Sequence, residues 1–481
     1  DAGPARASRR PGGARRACRD LSPPERSAVV PHASAGACPP RTVDPVERLA
    51  TALLQQLIRC NTVNPPGNER PAQEILAAEL EGAGFEGITM VGASKERPNL
   101  VARLRGKEDG PTLCLLSHVD TVLATPADWE HDPWSGTVDD DNFLWGRGAL
   151  DMKSQTAAEV AAAVSLAASG WRPARGELLI CSVADEETGG SQGARWICEH
   201  HPELVRCDEL LNEGGGPVIP FEGGRYYGVC VAEKGVFRFT ITTDGTAGHA
   251  SIPKMGDNAL LKLAPFLQLM ADRQPGLDIT DGPRGMLEGL GIPVDGDPAA
   301  ALAELQRRDP VLGMLVEPML GVSLAPTKIR ASEKINVIPA SAEIRVDCRV
   351  PPGFGEDLAR RRITEVLGTE GYRLDFTEQV PGNASSTDTD LYRAIESWIA
   401  VEDPEATVIP TILAGFTDSR TFRQAFPECD AYGWFPHRHQ TLYETAPLVH
   451  SKNERIDVRD LAFATRCYAD LIRARLGEGT A

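Results

Sequence analysis

At 481 residues the chain is longer than a single hydrophobic core usually grows, so two domains are expected. Its 42% hydrophobic and 25% charged residues are those of an ordinary globular protein, and no apolar run reaches the ~18 residues of a membrane span, which excludes a membrane partner. A formal net charge of −18 excludes nucleic acid, because phosphate binding rests on clustered Lys and Arg.

Residues 1–45 are rich in Arg, Ala, Pro and Gly, as in RRPGGARRAC, and cannot bury a core. They are expected to be a disordered or non-native extension, with a targeting segment as the alternative. Next, PVERLATALLQQLIRC and RPAQEILAAELEGAGF carry apolar residues at helical spacing. NLVARLRG and PTLCLLSHVD then read as strands, SQTAAEVAAAVSLAASG as an Ala-rich helix and GELLICSVAD as a further strand. Strands alternating with helices predict an α/β domain over residues 46–233, with ligands bound where strands end. Near Glu233 the pattern changes. KGVFRFTITTDG and EKINVIPASAEIRVDCRVPPG are strand-like and DNALLKLAPFLQLMADR is helical, which predicts a smaller α+β unit over 234–381. The first domain resumes over 382–481. The 11 cysteines show no close CxxC pairing and fit a reducing, cytoplasmic compartment.

The chemistry-bearing residues gather at strand ends. In LLSHVDTV, strand alternation puts His118 and Asp120 on one side, a pattern suited to a metal-binding imidazole steadied by a carboxylate. Alone, the pair is a weak signal, because a strand-end His is more often an ordinary satisfied polar residue. Asp151 in LWGRGALDMKS follows a Gly-rich turn and is either a ligand or the N-cap of the Ala-rich helix. VADEETGG sets Asp185, Glu186 and Glu187 at the end of an apolar strand, a costly placement without a cation. Glu213 in LLNEGGG and His450 in LVHSKNERI close comparable apolar stretches, and His437 and His439 in WFPHRHQ are further candidates for substrate contact.

Taken in order, these motifs resemble the zinc-dependent amidohydrolase and exopeptidase family of aminoacylase, acetylornithine deacetylase, succinyl-diaminopimelate desuccinylase and carboxypeptidase G. The likeness implies an aminopeptidase-like dizinc catalytic domain interrupted by a lid or dimerisation domain. It implies His118 and Glu213 on one metal, Glu187 and His450 on the other and Asp151 bridging, with Co2+ or Mn2+ as possible substitutes. Glu186 would be the general base, Asp120 would orient His118, and the Asp151–Met152 peptide would be cis. His249 in GTAGHAS matches the carbonyl-polarising residue of the lid, often supplied across a homodimer. Asn336 in INVIPA, Arg349 in VDCRVPPG and Arg420 in GFTDSR match substrate-contacting positions. For each arginine the alternative is a structural ion pair with a nearby acid.

The expected activity is cleavage of the amide of a small N-acyl amino acid or short peptide. A dipeptidase or carboxypeptidase is the alternative within the same chemistry. A catalytically silent metabolite-binding relative is the rival from a different class.

Overall fold

A computed structural model of the chain describes residues 45–480, so the extension expected over 1–45 lies outside them, apart from Pro45, which opens the first helix. The strands that shape the molecule are β1 (Glu86–Val91), β2 (Asn99–Arg105), β3 (Glu108–His118), β4 (Arg175–Val183), β5 (Glu209–Asn212), β6 (Pro217–Phe221), β7 (Gly224–Glu233), β8 (Phe239–Asp244), β9 (Ser323–Arg330), β10 (Ser341–Val350), β11 (Arg373–Phe376), β12 (Ala406–Leu413), β13 (Asp430–Gly433) and β14 (His437–Thr441). The helices that flank them include α1 (Pro45–Arg59), α2 (Arg70–Gly82), α3 (Lys153–Ala168), α4 (Ala259–Asp272), α5 (Asp281–Gly289), α6 (Pro298–Arg308), α7 (Pro310–Val316), α8 (Glu356–Leu367), α9 (Asp418–Ala425) and α10 (Val458–Leu476).

An eleven-stranded mixed sheet runs β1-β2-β4-β3-β5-β13-β7-β6-β14, with β12 pairing parallel and the short strand Asn383–Ala384 antiparallel to β7. Its centre is apolar on both faces, as a covered α/β sheet requires. Leu115 points into a core shared with α1, α3 and α10, while Leu116 joins a second cluster with Ile197 and Phe422. The small side chains of α3 let it sink into that first core, where nearly every residue is buried. Its first residue, Lys153, is buried too. The Lys153 Nζ donates to the carbonyls of Leu57 and Cys60 at 2.9 Å each, satisfying the C-terminal end of α1. Burial pulls its pKa down to about 8.

The stretch expected to form an insert divides in two. One part is a second, antiparallel sheet of five strands ordered β9-β10-β8-β11, with the short strand Gly235–Val236 also on β10. Helices α4 and α8 cover one face, and Phe239, Ile241, Ile344, Val346, Leu358 and Ile363 form a core separate from that of the large sheet. The other part, α5 to α7, packs on the large sheet. Met286, Leu287, Leu305 and Leu312 share a cluster with Ile219, Phe221 and Ile409. The reason lies in the spacing of glycines in DGPRGMLEG. A Cβ at Gly282, Gly285 or Gly289 would come within 2.5 to 2.7 Å of Ile412, Pro410 or Ile409, so only glycines let α5 lie this close to β12.

Among the described residues no helix is long and apolar enough to cross a membrane, and every described cysteine is free.

Candidate active site

Because β3 pairs parallel with both β4 and β5, the C-terminal ends of all three open on one edge of the sheet. Apolar side chains pin the strands, and polar residues begin where the core stops. His118 is the last residue of β3, Glu186 and Glu187 follow β4, and Glu213 follows β5 directly.

Asp151 reaches the same place from the loop before α3. It is not the N-cap of that helix, which opens at Lys153 without a side-chain cap. Glu454 holds the loop instead, accepting from the N–H groups of Leu150 at 2.7 Å and Asp151 at 3.0 Å. Its other oxygen pairs with Arg147 at 2.6 Å, and both side chains are buried. The Asp151 carboxylate is thereby left facing two imidazoles. Oδ1 lies 3.2 Å from His118 Nε2, and Oδ2 lies 3.0 Å from His450 Nε2. The Asp151–Met152 peptide is cis, as the family likeness implies.

Glu187 Oε2 lies 3.1 Å from His450 Nε2, and Glu213 Oε1 lies 3.6 Å from His118 Nε2. Glu186 Oε2 is farther away, 4.0 Å from His118. The ligand-type atoms fall into two groups that could each hold a metal ion, His118 with Glu186 and Glu213, and Asp151 with Glu187 and His450. Within each group they lie within 4.8 Å of one another.

The turn carrying the two glutamates is fastened from below. Asp185 takes a left-handed conformation at φ 69°, and its carboxylate accepts from Asn64, Thr188, Ser191 and the N–H of Gln192. It also pairs with Arg97 at 3.0 Å. Against the cost of burial, those bonds hold its pKa down at about 2. The third acid of the run is therefore scaffold. Asp120 has a wider task than expected. Its carboxylate accepts from the N–H groups of Glu186 and Glu187 at 3.2 Å each and from Asn64 at 2.8 Å. His118 Nδ1 is nearer to the Asp120 carbonyl, 3.1 Å, than to its carboxylate, 3.4 Å. Either contact turns Nε2 towards Asp151 and Glu213.

Crowding of acids in a buried space sets the electrostatics. Burial and the neighbouring Glu213 raise the Glu186 carboxyl well above the usual range, and burial with Asp151 does the same for Glu213. Burial also pushes Asp418, at the start of α9, up to about 7. Burial alone would lower the His118 pKa, but Asp120 and Asp151 lift it well above 6.5. Contacts with Asp151 and Glu187 raise that of His450 to about 10. Even so, the buried His118 Nε2 has no hydrogen-bond partner.

The expected substrate residues are placed less uniformly. Arg349 and Arg420 stack on one ring, their guanidinium carbons 5.4 and 3.9 Å from the centre of Phe416. Arg349 also makes the structural pair that was its alternative, donating from Nε to Asp347 at 2.6 Å. A buried Nη1 of each arginine remains without a partner. His249 and Asn336 lie elsewhere, on the small-sheet part of the insert. Both are exposed, and the short strand Gly248–His249 pairs with Val337–Ile338 while the Asn336 carbonyl accepts from the N–H of Ala250. His249 Nδ1 is held by Ser251. Neither lines the cavity of about 480 Å3 that opens beside Asp151, Glu186, Glu213 and His450. His437 does line it, whereas His439 is exposed.

Arg147, Glu454 and Asn64 were not singled out from the sequence. The first two lie inside motifs already quoted, GRG and NER, where burial of a paired acid and base was the available signal. Asn64 carries no local signal, because its partners are more than 50 positions away.

Comparison with known proteins gives the family and the fold. The sequence profile of peptidase family M20/M25/M40 matches residues 114–474. A succinyl-diaminopimelate desuccinylase of Xanthobacter autotrophicus is 27% identical over 435 residues, spanning 88% of this chain and 98% of that protein. A probable carboxypeptidase S-like protein of Dictyostelium discoideum is 26% identical over 340 residues, spanning 67% of this chain and 65% of the relative. Among solved structures, an M20 family metallo-carboxypeptidase from Sulfolobus solfataricus shares the fold with a TM-score of 0.65 at 17% identity, over 90% of this chain and 99% of that one.

Replacing Glu454 tests the support beneath Asp151. Glu454→Ala leaves Arg147 buried and unpaired, which should destabilise the protein by about 3–5 kcal/mol. It should also weaken metal binding by about 10- to 100-fold, the usual cost of losing a residue that holds a ligand in place. Thermal melting and competition with a chelator read the two effects. Unchanged metal affinity would show that the Asp151 loop holds its shape without Glu454.

Proposed function

The chain belongs to peptidase family M20/M25/M40, a family of metal-dependent hydrolases, and from that premise we propose that it cleaves the amide bond of a small N-acyl amino acid or short peptide at a two-zinc centre. The observation that carries this reading is the pair of facing ligand groups with Asp151 between them. Imidazole nitrogens and carboxylate oxygens are the donor set zinc takes, and an unpartnered buried His118 Nε2 fits a ligand atom better than a packed side chain. Co2+ or Mn2+ suits the same donors.

In this reading His118 and Glu213 would hold one cation and Glu187 and His450 the other, and Asp151, which faces both imidazoles, would serve both. When bound, such a pair supplies Lewis-acid polarisation and an acidified water. Glu186 takes the proton of the attacking water and returns it to the leaving amine nitrogen. Glu187 is the better ligand of the two, because its Oε1 accepts from the N–H of Val122 at 3.2 Å while Oε2 faces His450.

Arg349 or Arg420 reads a free carboxylate on the substrate, since each keeps an unpartnered Nη1 and the net charge of the chain would otherwise repel an anion. His249 polarises the carbonyl from a second copy of the chain. Its exposure supports this, as do the exposed Leu261, Ile329 and Ile335 on the same part of the insert and the unshared edge of β9. The segment 234–381 would then serve as lid and dimerisation domain through its small sheet. Free cysteines fit a cytoplasmic setting. A dipeptidase or carboxypeptidase would use the same residues on a peptide.

Glu186→Gln should retain two metals and lose at least ~100-fold in turnover of a panel of N-acyl amino acids and dipeptides. Loss of a metal from that variant, with both kept by Glu187→Gln, would reverse the two roles. Mixing inactive Glu186→Gln with inactive His249→Ala subunits should restore part of the activity, because one site of each mixed dimer keeps both residues. Absence of recovery under proven subunit exchange removes His249 from the neighbouring site. Arg349→Ala should lower kcat/KM on the free acid by ~10- to 1,000-fold and largely erase its preference over the matching amide. A retained preference would shift the carboxylate to Arg420 alone.

A further inference from the structure

The cavity beside the ligand groups is acidic at one end only. There it is bordered by Asp151, Glu186, Glu213 and His450. Most of the rest of its wall is apolar. Met286, Leu312, Leu315, Val316 and Met319 come from the helical part of the insert, and Ile219, Ile412, Leu413, Phe435 and Leu442 from the catalytic side. Among the described residues no Lys or Arg lines it.

The threonine hydroxyls in the wall are turned to other uses, while Gln155 keeps an unpartnered Oε1. Thr411 Oγ1 donates to the sulfurs of Met286 and Met319 at 3.6 Å each, and Thr417 Oγ1 donates to Glu233 at 2.5 Å. His437 keeps two unpartnered ring nitrogens, and burial holds its pKa down at about 3, so it adds no charge. The volume of about 480 Å3 is that of a small-molecule site. The cavity is also built in advance of any ligand, because α5 to α7 are fixed to the large sheet by the cluster around Ile219, Phe221 and Ile409 and by the glycine face of α5.

We propose that the substrate carries a large apolar group, either its acyl chain or its amino-acid side chain, which fills this cavity with Leu312, Leu315, Val316 and Met319 setting its size. The proposal rests on the amide-hydrolase reading above and narrows it. A short polar acyl group would leave the apolar wall uncovered. A succinyl group would bring a second carboxylate into a space with no cation to meet it, at the cost of desolvating a charge. The arginines stand outside the cavity, on the face of Phe416. The arrangement therefore matches a molecule with one anionic end and one greasy end.

The test uses the metal-loaded full chain and two substrate series. In one, glycine carries acetyl, butanoyl, hexanoyl, octanoyl or succinyl groups; in the other, the acetyl group is kept and the side chain grows from alanine through leucine to phenylalanine. Transfer of a methylene from water should raise kcat/KM by about fourfold, so octanoyl should exceed acetyl by at least ~100-fold if the acyl chain is the occupant. A comparable rise along the second series assigns the side chain instead. Leu315→Trp should cost the longest substrate at least ~10-fold more than the shortest, and its melting temperature separates this from misfolding.

Calorimetry of both series on metal-free protein reads the cavity without chemistry. Turnover with neither series favouring the larger group, or with succinyl preferred, overturns the apolar assignment and leaves the hydrolase reading standing. No turnover of any compound, with affinity still rising along a series, overturns the hydrolase reading and upholds the cavity. A flat series in binding overturns the cavity assignment.

Discussion

Carboxylates repel one another more strongly as water is withdrawn, and here Asp151, Glu186, Glu187 and Glu213 are gathered at one partly buried sheet edge. The surrounding chain does little to neutralise them. Asp120 spends its charge on the N–H groups of Glu186 and Glu187, Glu454 on those of Leu150 and Asp151, and Arg147 and Arg97 face these supports rather than the cluster. The outer layer is therefore satisfied while the inner one stays short of positive charge. Folding stabilises the positions of these carboxylates, and a bound cation would complete the electrostatics.

The same edge is shaped by an insert with two attachments. Its small sheet has a core of its own, while α5 to α7 belong to the core of the large sheet. Contiguity in sequence thus conceals a division of labour. The sheet part carries the exposed His249 and Asn336, and the helical part walls the cavity beside Asp151, Glu186, Glu213 and His450. Residues that would act on the amide from outside and residues that would measure the substrate are neighbours in the chain but sit on different supports.

Much of this was legible in the residues. Apolar runs ending abruptly in His118, Asp185 or Glu213 mark where strands leave the core, and alternation of β with α predicts that such ends share an edge. Asp151 was ambiguous because cap and ligand look alike in one dimension; the structure removes only the cap, since the helix opens at Lys153 and Glu454, about 300 positions away, holds the Asp151 backbone. The seating of α5 was hidden for a related reason. Three glycines in nine residues argue against a helix by propensity, and their benefit appears only once β12 lies alongside. Asp120 was expected to serve His118 with its side chain, but backbone contacts, which no side-chain pattern reveals, supply the nearer partner.

The glycine seat of α5 makes cavity size adjustable from a distance. A methyl group at Gly282, Gly285 or Gly289 would have to retreat by about 1 Å to reach ordinary contact with Ile412, Pro410 or Ile409. The helix would carry Met286, and with it one wall, outward by a similar amount. None of those glycines borders the cavity. Cavity size could thus drift among relatives while every residue lining the chamber stays the same, so an inventory of lining residues alone would misjudge how alike two such chambers are.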